Sequence, residues 1–159
     1  MRMKHWLSAT MAFMVVGVAQ AQLQDARVGA LLDEAQTRYE VDGDGDYVLG
    51  FRLPNGRTQR IWINSNTERY DAMEIREVWS PAYLVESELS GAVAQQLLRQ
   101  NANVKLGAWH VADMFGTQAA IFSVKVPADA DGATLMTVLE AVTMTADLMD
   151  LELNGDDDF

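Results

Sequence analysis

The sequence predicts a single α+β domain in which helices pack on one antiparallel sheet. Segments with helical spacing alternate with segments of period two, in the order helix, three strands, helix, two strands, helix. Short turns join the strands, which suits antiparallel neighbours. The chain has 159 residues, 49% of them apolar, with no internal repeat and no linker long enough to divide it.

The first 21 residues have the pattern of an export leader. Met1-Arg2-Met3-Lys4-His5 is a basic start, Trp6 to Val18 is apolar, and Ala19-Gln20-Ala21 fits a small-x-small cleavage site. The apolar run is about 13 residues against the roughly 20 that a spanning helix needs. Cleavage after Ala21 removes Arg2 and Lys4 and takes the net charge from −11 to −13. The expected location is therefore periplasmic or secreted, with no membrane span after cleavage. A domain over 22–152 and an acidic, disordered tail over 153–159 follow. Without any cysteine, stability in that compartment has to come from the core.

Asp25 can cap a helix running to about Tyr39, whose apolar stripe is Val28, Leu31, Leu32, Ala35 and Tyr39. Asp42-Gly43-Asp44-Gly45-Asp46 then leads into a strand, where Tyr47, Leu49, Phe51 and Leu53 form one apolar face. Pro54-Asn55-Gly56-Arg57 is a turn, because proline presets φ and Asn and Gly tolerate the left-handed region. The return strand, Thr58 to Asn64, points Ile61 and Ile63 inward and Arg60 and Trp62 outward. A third strand spans about Met73 to Trp79, and Ser80-Pro81 closes it.

The second helix is expected from near Ser87 to Gln100, with Leu89, Val93, Leu97 and Leu98 apolar. A polar break at Gln100 to Asn103 precedes a hairpin of Leu106–Val111 and Ala119–Val126, turned at Asp113 to Thr117 with Gly116 at the tip. The last helix, about Ala133 to Leu151, buries Leu135, Val138, Leu139, Val142 and Met149. Thr134, Thr137, Asp147 and Asp150 are expected to face water.

Charge and chemistry narrow the function. A net charge of −11 argues against a nucleic-acid partner, whose phosphates need a basic footprint, and against an anionic membrane surface. Catalytic signatures are absent: there is no cysteine nucleophile, no nucleophile-elbow glycine pattern around any serine, and no phosphate-cradling or dinucleotide glycine motif. Loss of His5 with the leader leaves His110, with Ser123 on the facing strand, as the one serine–histidine combination to check. No cofactor is implied, and the expected protein is not an enzyme. Trp62 and Trp79, together with Trp109, are the candidate binding residues, as an aromatic platform for a protein or peptide. Asp42, Asp44 and Asp46 are the alternative, a calcium loop. Their spacing matches the start of an EF-hand loop, but Tyr47 stands at its glycine position and Leu53 at its bidentate acid.

The element order and several landmarks resemble the YbjN family, proteins described as bacterial sensory-transduction regulators. The landmarks are Asp42-Gly43-Asp44-Gly45-Asp46, Ser80-Pro81, Leu97-Leu98-Arg99-Gln100-Asn101, Leu106-Gly107-Ala108-Trp109 and Val126-Pro127-Ala128-Asp129. The resemblance covers about Asp25 to Leu151. That family is similar in fold to type III secretion chaperones, which hold extended partner segments as dimers. The resemblance implies a chaperone-like fold, a non-catalytic binding or regulatory role, and a homodimer. The export leader departs from the cytosolic setting in which secretion chaperones work.

Overall fold

In the computed structural model the described residues are 24–114 and 116–155. The leader expected over 1–21 and positions 156–159 of the expected tail lie outside them. In chain order the elements are α1 (Ala26–Glu34), β1 (Glu40–Val41), β2 (Tyr47–Arg52), β3 (Thr58–Ile63), β4 (Glu68–Tyr70), β5 (Met73–Val85), α2 (Gly91–Asn101), β6 (Ala108–Met114), β7 (Thr117–Pro127) and α3 (Gly132–Leu153). The strands form one antiparallel sheet in the order β1-β2-β3-β5-β7-β6, and β4 pairs with β5 beside that path. This is the predicted α+β class.

Period-two alternation sorts the strands into two faces. Tyr47, Leu49, Ile61, Ile63, Val78, Phe122, Val124 and Val126 point to one side. There they join Val28 and Leu32 of α1, Leu97 of α2, and Leu135, Val138, Leu139, Val142 and Met149 of α3 in one core. All three helices cover that face. The opposite face carries a smaller cluster, Met114, Ala119 and Ile121 with Trp62, Trp79 and Ala112, to which none of the described helices contributes.

Several expected boundaries move, each for a local reason. α1 ends at Glu34 and not Tyr39, because Gln36 turns the chain out through a positive φ of 53°. Tyr39 instead packs edge-on against Tyr47, with centroids 5.1 Å apart. α2 starts at Gly91, where the Ser90 side chain accepts from the Val93 N–H and so sets the N-cap. β1 and β4 are short additions to the expected strands.

Ser80-Pro81 does not close the third strand, which continues to Val85. Pro81 lacks an N–H for the ladder, and β3 pairs with β5 only through Trp62↔Trp79 and Ile63↔Val78. Beyond that seam, side chains replace the ladder. Gln59 Nε2 donates to Ser80 Oγ and to the Pro81 carbonyl, and Ser80 Oγ donates to the Arg60 carbonyl. The register against β7 shifts between Pro81 and Tyr83.

Asp147 and Asp150 do not face water. Their side chains are 3% and 0% exposed, and Arg57 in the β2–β3 turn reaches both. Its Nε donates to Asp147 Oδ1 and its Nη2 to Asp150 Oδ2, each at 2.6 Å. Three residues apart on α3, the two carboxylates share a helix face, so one guanidinium satisfies both. This is a sequestered carboxylate pair of a kind the linear sequence does not single out.

At the other end of the sheet, buried Arg76 binds the Asp25 carboxylate and the carbonyls of Asn64 and Ser65, tying the α1 cap to β5. Arg27 bridges Asp25 to Glu74. Gly107, at φ 78°, opens β6 so close to β7 that a Cβ there would collide with the Ser123 carbonyl oxygen.

Arg57→Ala leaves two buried carboxylates without their cation and is expected to cost about 3 kcal/mol in urea unfolding. Arg52→Ala, at an exposed arginine, should stay within about 0.5 kcal/mol. The Arg27 hydrogen bonds hold Glu74 at about 2, below its ordinary 4.5, and hold Asp25 well below its ordinary 3.8. Both folded values are depressed, so their stabilisation is full above about pH 4.5 and is lost as pH falls towards 2. The urea-midpoint gap between the wild type and Arg27→Gln should therefore shrink from pH 7 to pH 2.5. An unchanged gap would remove this assignment.

Candidate functional site

The antiparallel register sets Trp62 directly opposite Trp79. Their rings stack with centroids 4.6 Å apart and planes 9° from parallel. Trp79 Nε1 donates to Asn64 Oδ1 at 2.7 Å, which fixes the ring while leaving its apolar surface in contact with the open-face cluster. Both rings are partly buried. The aromatic pair, on the face that the described helices leave open, packs against the Met114, Ala119 and Ile121 cluster and still presents ring surface outward.

Trp109 does not join them. Its odd position in β6 sends it to the helix side, 5% exposed, where it tilts against Phe122 and donates its indole N–H to Gln100. Asn101 exchanges hydrogen bonds with the Trp109 backbone, so the end of α2 covers the start of the β6 edge.

Asp42 and Asp46 are tied to the backbone through their carboxylates, and Asp44 only through its N–H. Asp42 Oδ1 accepts the N–H groups of Asp44 and Asp46, each at 3.0 Å, and Asp46 Oδ1 accepts that of Ser65 at 2.6 Å. Burial pushes the Asp46 carboxyl upward, against the pull of the Ser65 hydrogen bond. Among the described residues no three histidine, aspartate or glutamate side chains gather to hold a metal. The loop is an Asx-turn lead-in to β2.

His110 and Ser123 lie on the open face, with Nδ1 and Oγ 3.4 Å apart. Among the described residues no carboxylate hydrogen-bonds to His110, so the orienting third group of a triad is missing from the imidazole.

Sequence reasoning passed over a hollow of about 580 Å³ beside the tryptophans, lined by Arg38, Tyr39, Glu40, Val48, Gly50 and Arg60. The Asn55-Gly56 turn sets Gly50 against Arg60 and Val48 against Trp62, so the β2–β3 register could have located it. An apolar hollow of about 280 Å³ lies between the β2–β3 turn and α3, with Leu53, Met136 and Met144 in its wall. No described helix is long and apolar enough to cross a membrane. In comparisons with known proteins, no family model and no curated protein matches this chain.

If the Trp62–Trp79 stack is a packed unit, a double-mutant cycle of Trp62→Ala and Trp79→Ala read by urea unfolding gives a coupling of about 1 kcal/mol. Additive single changes would show that the rings only lie side by side.

Proposed function

We propose that the protein is a non-catalytic interaction module that binds an extended protein segment on its helix-free sheet face. The observation that carries this is the partly exposed Trp62–Trp79 stack, packed against the Met114, Ala119 and Ile121 cluster on the side opposite the described helices. Large aromatic rings give contact area at low conformational cost, and alternate side chains of an extended segment match the period of a sheet. The kinship with YbjN proteins belongs to the same reading, as does export by the 1–21 segment.

Homodimer pairing is its second part. Support comes from Met144, Leu148 and Leu151, exposed at helical spacing along α3. A sedimentation mass of one chain would end that part.

A photo-reactive benzoylphenylalanine at position 62 tests the binding face in living cells of the source. Irradiation should yield a discrete protein adduct that Trp79→Ala diminishes, while the same probe at exposed, helix-side Glu140 should yield none. Equal adducts at both positions, or none at either, would remove this function.

A further inference from the structure

We propose that the open face selects a segment with an acidic side chain two residues from an apolar one. The acid lies between Arg60 and Arg38, and the apolar group lies on the Trp62–Trp79 stack. This rests on the open-face reading above and names the chemistry of its partner.

The chain as a whole is acidic, at −11, yet two arginines meet at the hollow beside Gly50. Arg52 and Arg60 rise from the open face of β2 and β3, and Arg38 joins Arg60 at the hollow. Asp33 and Glu40 are the acids there, and Asp33 already accepts the Tyr39 hydroxyl at 3.1 Å. At the hollow two cations therefore face two acids, one of them already engaged. Elsewhere Arg27, Arg57 and Arg76 are all committed to carboxylates. Among the described residues, the Arg38 and Arg60 guanidinium groups have no hydrogen-bond or ion-pair partner, and both residues are exposed. A guanidinium fork is matched by a carboxylate, which takes two parallel hydrogen bonds from it.

Gly50 supplies the room. It pairs with Arg60 across the ladder, is exposed, and a Cβ there would meet nothing within 4 Å. A glycine inside a strand weakens the strand and leaves a bare stretch of backbone that a bound group can approach closely. Beside Arg60 it leaves an unfilled place on the sheet.

The spacing follows from the strand itself. Arg60 and Trp62 are two residues apart on one face of β3, roughly 7 Å at the rise of a strand. An extended ligand has the same period, so an acid over Arg60 puts its next same-side residue over the tryptophans. At the far end of the stack Glu77 stands opposite Lys125, so opposite charges offset one another there and no net charge is demanded of the ligand.

Fluorescence anisotropy of short labelled serine-rich peptides tests this on the full chain. One peptide carries a glutamate two places before a leucine; the others replace that glutamate with glutamine or lysine. The glutamate peptide should bind about tenfold tighter than either. The advantage should vanish in Arg60→Gln, an exposed change that leaves the fold intact, and should fall with added salt. Equal affinity for the glutamine peptide overturns the acidic preference. The open-face reading survives that result if Trp79→Ala still weakens both peptides. Absence of binding by all three peptides also overturns the proposal, and cross-linking at position 62 then decides the open-face reading independently.

Discussion

β3 and β5 meet through only two residue pairs, Trp62↔Trp79 and Ile63↔Val78, and the sheet depends on that narrow seam. On the helix side Ile63 and Val78 are fully buried in the core. On the other side none of the described helices arrives, and two stacked indoles close the seam. Beyond Trp79, Pro81 has no N–H to give, and the Gln59 and Ser80 side chains bridge the diverging strands. Gln59 is 1% exposed, a polar residue placed in the core because the backbone groups around Pro81 need a donor. The same short seam puts the aromatic surface in the middle of the open face.

The distribution of arginines explains how so acidic a chain holds together. Arg57 fastens α3 to the β2–β3 turn, and Arg76 fastens the α1 cap to β5. Arg76 is buried among a carboxylate and carbonyls, and the partly buried Arg57 meets two buried carboxylates, where an unmatched charge would be costly. Cations at these two places join the helix layer to the sheet at both ends. Arg38 and Arg60, at the hollow, have no such partner among the described residues.

The chemistry-bearing residues sort the same way. Asp42 and Asp46 each use one carboxylate oxygen to accept backbone N–H groups, a local job set by glycine-rich geometry. His110 and Ser123 meet because the β6–β7 register places them diagonally on one face, and among the described residues no carboxylate hydrogen-bonds to the imidazole. Trp109 shares a residue type with Trp62 and Trp79, but strand parity sends it to the core, where its N–H meets Gln100.

Much of the architecture was legible along the chain. Period-two runs at Tyr47–Leu53 and Thr58–Asn64, with Asn55-Gly56 between them, determine a hairpin, because turn geometry and alternation are local properties. The inward Ile61 and Ile63, the outward Trp62 and the α3 stripe follow from the same local rules. Where helices end was less legible: the turn at Gln36 and the cap at Ser90 depend on one or two residues that periodicity averages over. The fate of Asp147 and Asp150 was not legible at all. On a helix wheel they look solvated, and only the fold brings Arg57, some ninety residues earlier in the chain, between them. The strand passing through Ser80-Pro81 was likewise decided by partners on β3 and β7. By itself the sequence determined the longer elements, their order and the facing of β2 and β3, since those depend on neighbours within a few residues. The tertiary structure alone decided which face the helices leave open and which charges are buried, because both depend on groups that meet only after the chain has folded.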